Sequence, residues 1–193
     1  MKILIVGSVA SGKSTLARKL SKDSNISVYE VSMKNKNDFM YTFKHRLVVI
    51  YLANKYISSD KVDLLERIKK HDVDKLFNYM FYDKKTVSKM HRLLSSHHDN
   101  EIDKTYEDYV EMVLDWESAR YTKSDKPLNA YDTLYKYYPY MKDNILPILR
   151  EFKIDKSNLD KESDVIEYVN SINVTLEDIK EFMNSYINDY FNC

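Results

Sequence analysis

Glycine constrains this chain more than any other residue, because there are only two in 193 residues, Gly7 and Gly12. Both lie in the first twelve positions, and only three prolines occur. β-Hairpins and α/β loops normally need glycine for positive φ, so the chain after residue 12 is expected to be mostly helical. The length suits one domain, or one with a small appendage. With 44% apolar residues the chain can bury a real core.

The N-terminus is the exception to the helical expectation. Lys2-Ile3-Leu4-Ile5-Val6 has the profile of a buried parallel strand. Gly7-Ser8-Val9-Ala10-Ser11-Gly12-Lys13-Ser14 then matches the phosphate-binding loop G-x-x-x-x-G-K-[ST], and Thr15–Leu20 reads as a helix. In such a loop the backbone N–H groups cradle phosphates. Lys13 reaches the β/γ-phosphates and the Ser14 hydroxyl ligates Mg²⁺. The expected nucleotide-contacting set is Gly7, Ser8, Ala10, Ser11, Gly12, Lys13, Ser14 and Thr15, with ATP or GTP and Mg²⁺ as ligands. Ile26–Val31 reads as a second strand, after which the α/β pattern stops. The run Met112-Val113-Leu114-Asp115 resembles a Walker B strand. However, Tyr106, Tyr109, Val110, Val113 and Leu114 follow helical spacing, so a helix is expected there.

Helical segments are expected at about 39–57, 62–68, 73–82, 84–96, 105–121, 130–138, 141–152, 160–172 and 175–190. Asp38 and Ser58 or Ser59 are expected as N-caps, and Thr175 with Asp178 as a capping box. The division expected is a P-loop βαβ segment at 1–37, a helical domain at 38–152 and a helical extension at 153–193. The tyrosines sit at helical spacing and read as packing residues.

Net charge is zero, so nothing global points to nucleic acid or membrane. Residues 1–37 are basic, with seven Lys/Arg against two acids, which fits a phosphate ligand or a solvated surface. A single cysteine, Cys193, excludes an intrachain disulfide and suits a reducing compartment. With no long apolar run, a cytoplasmic protein is expected.

All five histidines fall between positions 45 and 98. His71 and Asp72 are adjacent at a helix boundary, His45 is on an earlier helix and Asp115 on a later one. A helical bundle can bring such groups to one point. A mixed imidazole–carboxylate set suits Zn²⁺, Mn²⁺, Fe or Mg²⁺.

The order His45, His71-Asp72, Asp115, with Val73-Asp74-Lys75 after the doublet, resembles the HD-domain metal-dependent phosphohydrolases. The fragments HDVDK at 71–75 and SHHDN at 96–100, with the stretch from Asp115 to Pro139, are similar to a family of uncharacterised bacterial and phage HD-like proteins. The resemblance covers about 38–152. It implies a mainly α fold, an HD-like bundle preceded by the short β-P-loop-α-β segment. It also implies metal ligands His45, His71, Asp72 and Asp115, and a phosphate-side role for Lys75. In two-metal members extra histidines complete a second site. His91, His97 and His98 are the candidates here, with His97-His98 carried into the ligand set; the pair also fits a helix end that offsets its dipole. Asp72 is expected to orient or deprotonate water. Arg120 and Lys123 are expected at the substrate rim, while Lys126 reads as solvated and Trp116 as core. Asp74 departs from the family pattern, which often has a small residue there.

The leading expectation is therefore a metal-dependent phosphohydrolase acting on a nucleotide or small phosphate ester. A P-loop kinase or NTPase with a helical lid is the first alternative. A non-enzymatic nucleotide-binding helical protein is the second.

Overall fold

A computed structural model describes residues 2–7, 13–20, 22, 27–32 and 36–191, with side chains at 15–20, 22 and 37–187. The chain is mainly helical, as the scarcity of glycine requires. No helix among the described residues is long and apolar enough to cross a membrane.

Two compact units divide the chain, and their boundaries differ from the expected ones. One comprises Met1–Thr42, Val73–Met90 and Val174–Cys193; the other comprises Phe43–Asp72 and His91–Asn173. The expected extension at 153–193 is thus split between them.

In the first unit β1 (Lys2–Gly7) and β2 (Ser27–Ser32) pair in parallel, Lys2 opposite Ser27 through Gly7 opposite Ser32. Helix α1 (Lys13–Leu20) falls between them in sequence. Residues 8–12, the core of the expected phosphate-binding loop, lie outside the described residues, as do the Lys13 and Ser14 side chains. This unit also holds the start of α2 (Lys36–Tyr56), α4 (Val73–Asn78), most of α5 (Lys84–Leu94) and α10 (Leu176–Phe191). Asp38 lies in the first turn of α2 and pairs with Lys84 at 2.7 Å. Helix α10 starts with the expected capping box: Asp178 N donates to Thr175 Oγ1 at 3.2 Å, and Thr175 N donates to Asp178 Oδ2 at 2.6 Å.

The second unit is built around α6 (Tyr106–Thr122), which settles the Met112–Asp115 run as helix. Thr105 caps it, with Asp108 N donating to Thr105 Oγ1 and Thr105 N donating to Asp108 Oδ2. Val110, Val113 and Leu114 are fully buried. They join one core with Val49 and Leu52 of α2, Ile68 of α3 (Val62–Ile68), Leu134 of α7 (Ala130–Tyr137), Ile145 and Leu149 of α8 (Lys142–Glu151) and Val165 of α9 (Ser163–Ser171). Truncating any of the leucines or isoleucines among these to Ala costs about 2–5 kcal/mol by the usual cavity effect. The expected serine caps on α3 are replaced by Lys61, whose side chain makes no cap bond. Trp116 packs against this core and stacks on Tyr138, with centroids 4.7 Å apart.

Glycine scarcity leaves a mark on the turns. The non-glycine residues with positive φ among the described residues are Asp72 (58°) and Lys153 (59°). Lys153 follows α8, where Ile154 N donates to Leu149 O at 2.8 Å and Lys153 N to Arg150 O at 3.1 Å. This is the helix-ending motif that normally uses glycine. A β-carbon in the left-handed region costs about 1 kcal/mol. Lys153→Gly is therefore expected to raise the unfolding free energy by about 0.5 kcal/mol, the relief being offset partly by the freer unfolded chain. Urea denaturation measures this, and a lower midpoint for the variant would contradict it.

Candidate metal centre

One stripe of α6 carries several polar groups of the second unit's interior. Asp108, Glu111, Asp115, Ser118 and Thr122 fall within an arc of about 80° at 3.6 residues per turn. Val110 and Val113 of the same helix lie about 120° and 180° from the middle of this stripe. The histidines meet the stripe.

His45 comes from α2 and is buried. Its Nε2 lies 2.9 Å from Asp115 Oδ1. Its Nδ1 lies 3.2 Å from Thr122 Oγ1 and 3.3 Å from Ser118 Oγ. Those hydroxyls donate to α6 carbonyls, Thr122 to Ser118 O at 3.0 Å and Ser118 to Asp115 O at 2.9 Å. With their protons so used, they present lone pairs to His45 Nδ1, while Nε2 faces Asp115.

His71 and Asp72 come from the tight turns after α3. Lys70 N donates to Arg67 O, His71 N to Ile68 O, and the Arg46 guanidinium to Lys69 O. The left-handed Asp72 then redirects the chain, so that two successive side chains are both buried at one place, 1% and 3% exposed. Aspartate tolerates this conformation better than most residues. His71 Nε2 lies 3.7 Å from Asp72 Oδ1 and 3.9 Å from Asp115 Oδ1. Donor atoms of His45, His71 and Asp72 lie within 4.8 Å of one another. The four residues expected from the sequence thus converge.

A second group lies alongside. His91, on the last turns of α5, and His97 and His98 in the following turn have donor atoms within 4.8 Å of one another. Asn100 Nδ2 pins this turn by donating to the carbonyls of Arg92 and Ser95. His91 Nε2 is 3.0 Å from the same Asp72 Oδ1 that approaches His71. Asp72 therefore links the first group to His91 of the second.

The geometry suits cations. Ligands 2.0–2.2 Å from one ion at tetrahedral or right angles sit roughly 3.0–3.5 Å apart; the His45–Asp115 and His91–Asp72 contacts at 2.9 and 3.0 Å are near that spacing, and His71 Nε2 stands wider, at 3.7 and 3.9 Å. The buried Nε2 atoms of His71 and His97 have no hydrogen-bond partner among the described residues, as ligand atoms aimed at an ion would. Three carboxylates, Asp72, Glu111 and Asp115, share this interior. Burial alone would lower the His71 pKa, but Asp72, Glu111 and Asp115 outweigh it and raise it to about 9. At His45 burial prevails over Asp115 and lowers the pKa. Burial would raise Asp115 and Glu111, yet contact with His45 holds the first, and contact with His71 and His97 the second, well below the usual carboxylate range.

Lys75 lies in α4, in the first unit. Arg120 is 3% exposed and does not sit at a rim. Its guanidinium donates to the carbonyls of Asn158 and Asp160 and pairs with Glu117 at 3.3 Å. It ties the segment before α9 to α6. Lys123 is the C-cap residue of α6. Gly7 ends β1, and Thr15 is exposed on α1. The sequence reading missed Glu111 as a site residue and left His91 outside the ligand set. Helical spacing was the available signal for Glu111, four residues before Asp115.

No protein-family model, curated protein or solved structure matches this chain.

The carboxylates set an acid limit. Since the folded-state pKa values of Glu111 and Asp115 lie below their unfolded values of about 4, their stabilising contribution is complete above that pH. It is lost as pH falls towards the depressed folded values. Urea midpoints measured in chelator are expected to decline steadily from pH 5 to pH 3, and less steeply for Asp115→Asn. Equal slopes for the two proteins would contradict the assignment.

Proposed function

We propose that the chain is an HD-type metal-dependent phosphohydrolase acting on a nucleotide or small phosphate ester. The observation that carries this reading is the convergence of His45, His71, Asp72 and Asp115 in one buried centre, with His91, His97 and His98 beside it. The orphaned Nε2 atoms of His71 and His97 support ligand roles. A divalent ion such as Mn²⁺, Fe²⁺, Zn²⁺ or Mg²⁺ would polarise a phosphoryl oxygen and acidify water there.

The residues divide the remaining work. Asp72 touches both histidine groups and is the proposed base that orients or deprotonates the attacking water. Asp115, with 18% of its side chain exposed, and the half-buried His98 are the members of the set nearest solvent, so the phosphate is proposed to enter over them. Lys75 is the proposed phosphate-side cation on the sequence resemblance alone. Arg120 is not assigned to substrate, because its donors are engaged with carbonyls and Glu117. The N-terminal motif is proposed to bind ATP or GTP with Mg²⁺. The parallel pairing of β1 and β2 around the sequence of α1 is compatible with that role.

Purified protein is expected to retain a transition metal and to release inorganic phosphate from members of a phosphate-ester panel. His71→Ala should lose the metal, measured by elemental analysis, and at least 100-fold in rate. Lys13→Ala should keep hydrolysis and lose ATP binding. Full activity in metal-free protein would reject the proposal. Loss of all phosphate release in Lys13→Ala would favour a P-loop NTPase instead.

A further inference from the structure

Glu111 belongs to neither histidine–aspartate group, yet it touches a histidine of each. Its Oε1 lies 2.8 Å from His71 Nδ1 and 3.2 Å from His97 Nδ1. One carboxylate oxygen thus accepts from two imidazoles, whose other nitrogens are the orphaned Nε2 atoms. Its second oxygen accepts from Arg67 Nε at 3.4 Å. Arg67 in turn pairs with Asp108, to which Ser96 also donates, immediately before His97 in sequence.

Resting on the metal-centre reading, we propose that Glu111 is a shared positioning residue for two ion positions, one at His71 and one at His97. An Nδ1–H pointing at a carboxylate fixes the tautomer and turns the Nε2 lone pair towards the ion. Here a single carboxylate does this for both positions, so one substitution at 111 weakens both. A substitution at a ligand confined to one group acts mainly on that group.

A competing geometry exists, because His71, His97 and Glu111 could themselves hold an ion through Nδ1 and Oε1. Two observations weigh against it. The Arg67 guanidinium sits against Glu111, where it would repel a divalent cation. That geometry also leaves the buried Nε2 atoms without partners.

The test is calorimetric titration of ion-free protein with Mn²⁺, with bound metal counted by elemental analysis. Wild type is expected to take two ions. Glu111→Gln is expected to bind both at least tenfold more weakly, the usual scale for loss of such a partner. His97→Ala is expected to weaken one position only. Two unchanged affinities in Glu111→Gln would overturn the role of Glu111 while leaving the centre intact, whereas no ion bound by wild type would overturn both. A direct readout on wild type guards against a variant that fails to fold. Loaded with Zn²⁺, His71 and His97 should show protonated Nδ1 and coordinated Nε2 in long-range ¹H–¹⁵N spectra. Coordination through Nδ1 would overturn the proposal.

Discussion

The organisation of the second unit depends on placing ionised carboxylates along one face of a buried helix. Asp108, Glu111 and Asp115 would each be expensive in an apolar interior if left alone. None is alone: Asp108 meets Arg67 and Ser96, Glu111 meets Arg67, His71 and His97, and Asp115 meets His45. Removing one partner strands a buried charge, so the contacts stand or fall together. Val110 and Val113, turned away from these carboxylates, help to fix the helix in the core. Because core and centre are two faces of one helix, the register that buries Val110, Val113 and Leu114 also presents Glu111 and Asp115 to the histidines.

The start of α6 illustrates how closely that register is held. Asp108 accepts from the backbone N–H of Thr105, completing the capping box, and with its other oxygen from Arg67 and Ser96. The residue that sets where the helix begins also holds the cation behind Glu111 and the chain before His97. Helix initiation and the anchoring of Arg67 and Ser96 therefore share a carboxylate.

Much of the centre was legible in the sequence. The doublet at 71–72 and its partners at 45 and 115 were readable because histidine is rare here and confined to one stretch. Glu111 was not, since a single glutamate on a charged helix looks like any solvated acid; only its distance in turns from Asp108 and Asp115 marks it. Arg120 is the converse case. It is five residues from Asp115, close in sequence, but roughly 140° around the helix, which points it towards Glu117 and the segment before α9. The mainly helical fold followed from glycine content. Two of the four unit boundaries fall inside α2 and α5, at positions with no change in composition to mark them.

Asp72 shows why so few glycines suffice. A left-handed residue is needed to bring two consecutive side chains to one buried place, and glycine would adopt that conformation without cost. Glycine, however, would supply no carboxylate, and the oxygen it would remove is the one lying against both His71 and His91. Asparagine would keep the turn and lose the negative charge that raises His71. Aspartate alone combines tolerance of positive φ with an ionised carboxylate of this length; glutamate carries the charge on a longer arm with less tolerance of the turn. The backbone cost at position 72 is small beside the several kcal/mol at stake in an unpaired buried imidazolium or carboxylate. Electrostatics therefore decides the residue, and the turn conforms to it.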